Sequence, residues 1–249
     1  MRIEKKFKSA VEAFQSGNLR KARAVLSDCV QKFGAHPIFD HLMCFIDLED
    51  GSTEKALERF SKISASFSDD ATFLNGYGVA LLRSGRPTEA LDQINSALRL
   101  VPNDPDYTIN LGHAYSASRE YALSIKAYKQ ALELVATNVE VLEFIATDMA
   151  KIGQADASIE YVSKHINDGN SSIETRILLS NLLVKNGDIS EALVILNALR
   201  NTAPDNPDVA AQWVAAMCLA GQAETAVRQF PDFMKMRGLK SEHGATYIY

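Results

Sequence analysis

The chain has 249 residues, 47% hydrophobic, 8% aromatic and 23% charged, with a formal net charge of −5. No stretch reaches the roughly 18 uninterrupted apolar residues of a membrane helix, so membrane insertion is not expected. Cys29, Cys44 and Cys218 lie far apart without a CxxC pair, which argues against a zinc site or a disulfide framework and for buried packing.

The N-terminus, Met1-Arg-Ile-Glu-Lys-Lys-Phe-Lys, opens a charged amphipathic helix in place of a signal peptide's apolar stretch. A cytoplasmic protein is expected, or a periplasmic one if a signal peptide has been removed. Residues 1–35 carry a charge of +5 and the remainder −10, the basic side chains falling on expected solvent faces of helices. From there a single period governs the chain. Gly17, Gly51, Gly85, Gly153, Gly187 and Gly221 are separated by 34 residues or a multiple of 34, and Arg119 occupies the one missing position. Five residues after each stands a small one: Ala22, Ala56, Ala90, Ser124, Ser158, Ala192 and Ala226. Such register implies one supersecondary unit copied seven times. The units start near Ile3, Pro37, Ala71, Pro105, Val139, Ile173 and Pro207, giving an array over residues 1–240 and a tail over 241–249.

The unit from Pro105 shows the construction. Asn103 and Asp104 supply capping ahead of an N1-type proline, so a helix begins there. Leu111, Gly112 and Tyr115 make one apolar stripe, and Ser124, Tyr128, Ala131 and Leu132 make a second. The intervening glycine position tolerates positive φ and lets the first helix stop. Gly112 and Ala131 are small because two helices approach closely there.

The spacing L-G-x-x-Y, a small residue nine positions on, then Y-x-x-A resembles the tetratricopeptide repeat, as do Gly78, Ala90, Ala97 and Pro102 in the preceding unit. The resemblance runs from residue 3 to about 240 and implies an all-α, right-handed superhelical solenoid of helix-turn-helix repeats. Departures carry information too. Asp40 and Asp47 stand where large apolar residues are expected, and the first unit carries its stripe as Phe7, Ala10, Val11 and Phe14, one position late. The first helices of these two units are therefore expected to be rotated. His165 replaces the usual alanine, which suggests a hydrogen-bonded structural histidine. Pro231 falls inside the last second helix and should kink or end it, leaving Phe230, Phe233, Met234 and Met236 to be covered by the tail, by another copy or by a further domain.

No Walker or Rossmann glycine string, HExxH, GxSxG or Cys/His ligand pair occurs, so no catalytic residue, metal or cofactor is expected. In tetratricopeptide arrays the first helices line a concave surface. Carried over to this register, that surface receives Asn75, Val79, Leu82, Ile109, Asn110, His113, Phe144, Thr147, Ile177, Asn181 and Val184, with Glu143 and Leu178 beside them. Amides alternate with apolar residues, a mixture suited to a peptide whose backbone needs polar partners and whose side chains need pockets. The basic constellation with which chaperone-binding members of the family grip a terminal carboxylate is absent. Positions from the fourth unit onward are neutral to acidic, which argues against nucleic acid. The expected function is a non-catalytic protein-interaction scaffold, with self-association through the C-terminal end an option. The alternatives are the targeting portion of a larger glycosyl- or sulfotransferase-like enzyme, and an accessory factor in bacterial secretion or pilus assembly.

Overall fold

The structure, a computed structural model, describes residues 2–135, 138–167 and 172–229. The expectations for Pro231, the apolar residues around it and the tail over 241–249 lie outside the described residues. Everything regular among the described residues is helical. The chain divides into two units, Met1–Val135 and Ala136–Tyr249.

In the first unit the helices are α1 (Arg2–Gln15), α2 (Leu19–Phe33), α3 (Pro37–Glu49), α4 (Thr53–Ile63), α5 (Ala71–Arg83), α6 (Pro87–Leu100), α7 (Pro105–Ala117) and α8 (Tyr121–Leu134), with a 3-10 turn at Ser64–Ser66. Consecutive helices pair into antiparallel hairpins, and α2, α4 and α6 also pack on the first helix that follows. First helices touch their successors as well, α1 on α3, α3 on α5 and α5 on α7. The second unit repeats this plan with α9 (Val139–Lys151), α10 (Ala155–Asn167), α11 (Ile173–Asn186), α12 (Ile189–Thr202) and α13 (Pro207–Leu219), followed by helical residues 223–229.

Local chemistry explains where these helices start and stop. Side-chain oxygens of Asp70, Asp104, Asn138, Ser172 and Asn206 accept backbone N–H groups of the following first turn, so α5, α7, α9, α11 and α13 begin on capped ends. Each hairpin turn closes with the same two bonds: Gly17 N–H to Phe14 O and Asn18 N–H to Ala13 O, both 2.9 Å, recur one and more repeats later through Gly221 and Gln222. The residue in the middle has positive φ at every one of the seven turns. Six are glycines, and Arg119 accepts φ 62° in the same role.

The small residues of the period sit at the tightest contacts. Ala22, Ala56, Ala90, Ser124, Ala192 and Ala226 have no exposure, and Ser158 almost none. A Cβ added to Gly112 would lie 2.4 Å from Tyr128 Cε1, and one added to Gly78 would lie 2.5 Å from Ile94 Cγ1. Around these contacts Phe60, Phe73, Leu81 and Ile94 build one core, and Ala10, Leu26, Phe39 and Ile46 another.

The expected rotation of the first helices in the first two repeats does not occur. Ala10 and Cys44 are fully buried at the position that Gly78 and Gly112 hold further on, and Asp47 is fully buried where Leu81, Met149, Leu183 and Met217 stand in later repeats. Ion pairing makes this possible. Arg23 Nη1 donates to Asp47 Oδ1 at 2.6 Å, Arg59 Nε donates to Asp47 Oδ2 at 2.8 Å, and Arg59 Nη1 reaches Asp40 Oδ1 at 3.0 Å. A carboxylate with both oxygens satisfied by guanidinium groups can occupy a core position that an unpaired one cannot.

Candidate functional site

The first helices of the first unit are tied to one another by contacts 35 residues apart. Arg83 Nη1 donates to the Leu48 carbonyl at 2.6 Å, a second bond to an oxygen that already accepts the Gly51 N–H at the end of α3. The Thr72 and Tyr107 hydroxyls share a hydrogen bond of 3.3 Å. Asn110 Nδ2 donates to Asn75 Oδ1 at 3.0 Å. The two amides thus sit side by side on adjacent first helices. Asn75 keeps both of its N–H donors, and Asn110 keeps one N–H and its carbonyl.

Beside them on α7, His113 Nδ1 lies 2.7 Å from the Tyr128 hydroxyl of α8, with the two rings edge to face at 5.5 Å. Tyr128 is buried and fills the space above Gly112, so this bond fixes the imidazole on the helix face. Ile109 is half-buried. Val79 and Leu82 are half-buried and pack onto the core built around Phe60 and Phe73, so each presents one side to solvent and one to the interior.

In the second unit Phe144 is half-buried and Thr147 exposed on α9. On α11 Ile177 and Asn181 are half-buried, and Leu178 is buried. Val184 is half-buried and packs against the cluster around Leu196 and Trp213, so it too presents one side to solvent and one to the interior. Glu143 is exposed. The expected residues therefore fall into two separate sets, and the set on α5 and α7 is the one with polar groups joined to each other.

The cysteines and His165 lie outside these two sets. Cys29 and Cys44 are fully buried, and burial pushes the Cys44 thiol up to about 12, which denies it a thiolate. Cys218, expected to be buried, is exposed near the end of α13. His165 Nδ1 donates to the Tyr161 carbonyl at 2.9 Å within its own helix. No group of three or more His, Cys, Asp or Glu side chains able to hold a metal occurs among the described residues. None of their helices is long and apolar enough to cross a membrane.

Several basic side chains of the first repeat are neutralised within it or by the second repeat. Lys6 and Lys32 both pair with Asp28, whose carboxyl they hold below the usual range, Lys32 contributing most. Arg23 is occupied by Asp47 and Asp50. Sequence reasoning missed this arrangement. Its signal was available: acids at two apolar positions of α3, with an arginine on each of the neighbouring second helices.

Tetratricopeptide repeat family models match residues 47–105 and 106–137. Superkiller protein 3 of Saccharomyces cerevisiae is 29% identical over 87 residues, which is 35% of this chain and 6% of that protein, so the chain spans a small fraction of that relative's length. A tetratricopeptide repeat protein from Parabacteroides merdae superposes with a TM-score of 0.69 at 16% identity, covering 99% of this chain and 97% of that one. PilW, a type IV pilus biogenesis factor, gives a TM-score of 0.68 at 19% identity over 84% of this chain and 97% of its own. The chain carries tetratricopeptide repeats over residues 47–137, and the helical hairpins of the described residues share the fold of tandem tetratricopeptide repeat arrays.

Proposed function

We propose that the protein is a non-catalytic interaction scaffold that holds an extended peptide segment of a partner protein against the first-helix face formed by α5 and α7. The observation that carries this reading is the Asn75–Asn110 amide pair. Two amides joined across adjacent helices retain three N–H donors and a carbonyl in fixed positions, the groups that pair with a peptide backbone. Half-buried Val79, Leu82 and Ile109 give apolar contact for its side chains, and His113 is held in place by Tyr128. Phe144, Thr147, Ile177 and Asn181 form a second candidate surface in the other unit. The proposed compartment is the cytoplasm.

The test is peptide selection against the intact protein, followed by titration of the selected peptides into Asn75→Ala/Asn110→Ala. These amides bond to each other, so removing both strands no partner. Affinity should fall about tenfold, the worth of one to two hydrogen bonds, with the helical circular dichroism unchanged. Unchanged affinity would move the site elsewhere. The pilus-assembly alternative is compatible with this fold, and a lipoprotein signal in the full gene would favour it.

A further inference from the structure

His41, on α3, lies among aromatic rings. It stacks on Phe67 at 4.6 Å and 14°, meets Phe45 edge-on at 5.4 Å, and lies 5.5 Å from Phe73 of α5. Phe60 of α4 and Tyr77 of α5 extend the same cluster, with Phe60 and Tyr77 stacked at 5.4 Å. Three segments therefore converge on one imidazole: α3, the stretch after the 3-10 turn, and the start of α5. Its Nε2 is buried and has no hydrogen-bond partner. The charged group facing it is Asp70, whose Oδ2 is 3.8 Å from Nε2. Arg59 of α4 is engaged by Asp40 and Asp47.

Asp70 cannot simply close that gap. Its Oδ1 accepts the Phe73 N–H at 2.9 Å and caps α5, so turning the carboxylate toward His41 weakens the cap. A neutral imidazole is well accommodated, because it is apolar enough to stack and needs no counter-ion. An imidazolium here keeps only part of its water, the side chain being 18% exposed, and its Nε2 lacks a hydrogen-bonded anion, which attraction to the Phe67 face offsets only in part.

We infer that the junction between the second and third repeats is an acid-sensitive latch, in which protonation of His41 releases the Phe67 stretch and the start of α5 from α3. Burial holds the His41 pKa below its ordinary 6.5, the Asp70 carboxylate opposing this in part. A histidine depressed in the closed state contributes its full stabilisation above pH 6.5, and that contribution drains away as the pH falls from 6.5 through the lowered value. The latch is shut at neutral pH and loosens in acid.

The test pairs two measurements on the full chain between about pH 8 and about pH 5. Proton NMR gives the His41 titration. Hydrogen exchange, corrected for intrinsic rates, gives the protection of the Asp70, Phe73 and Leu74 amides, which bond to Phe67 O, Asp70 Oδ1 and Asp70 O. Each unit by which the His41 pKa is lowered should appear as a tenfold loss of protection on acidification. His41→Phe and His41→Gln should abolish that loss, and either suffices if the other does not fold. Titration of His41 at or above 6.5, or equal acid-induced loss in the variants, overturns the proposal.

Discussion

Arg23 and Asp47 meet across 2.6 Å at the boundary of the first two repeats, and the aspartate they share with Arg59 has no exposure to solvent. This pair does the work that a leucine or methionine does at the same position of later repeats. Asp47→Ala should lower stability by about 1–3 kcal/mol, because the arginines keep roughly a third of their exposure and can rehydrate. Arg23→Ala/Arg59→Ala should cost more, about 3–5 kcal/mol, since it leaves a buried carboxylate unpaired. Urea midpoints in the reverse order would show that the carboxylate is not buried as described.

Tyr128 packs where a Cβ on Gly112 would stand, 2.4 Å from Cε1, and its hydroxyl is bonded to His113. The ring cannot swing away without losing that bond. Gly112→Ala should cost about 1–3 kcal/mol by overpacking, and Gly112→Leu at least as much. Lys129→Ala, on the same hairpin, should stay within about 0.5 kcal/mol. Equal shifts of the denaturation midpoint would refute the close approach of α7 and α8.

Arg119 is an arginine doing a glycine's task. Its φ of 62° is the left-handed region that the other six turns assign to glycine. Arg119→Gly should raise stability by about 0.5–1 kcal/mol, the backbone strain relieved exceeding the extra freedom given to the unfolded chain. A thermal midpoint equal to or below the wild type would contradict this.

The fold was legible because its determinants are local. A glycine at six of the seven turns, a small residue five later and a capping side chain ahead of α5, α7, α9, α11 and α13 act within one hairpin, so sequence spacing carries them directly. Asp47 was misread for the opposite reason. Its burial depends on Arg23, 24 residues earlier, and Arg59, 12 later, and no helical periodicity links those positions. The surface residues were legible only as a register. That Asn75 and Asn110 bond to each other follows from the offset of α7 on α5, and that Val184 is half-covered follows from its packing on the cluster around Leu196 and Trp213. Cys218 shares an apolar stripe in sequence, yet its place near the end of α13 leaves it exposed.

The central claim, a peptide held on the first helices of the first unit, is tested most directly by hydrogen exchange of the intact protein with and without a selected peptide. Ligand should slow exchange on α5 and α7, around Asn75, Val79, Asn110 and His113, and leave the second helices α6 and α8 unchanged. Protection confined to α6 and α8, or absent from α5 and α7, would contradict it.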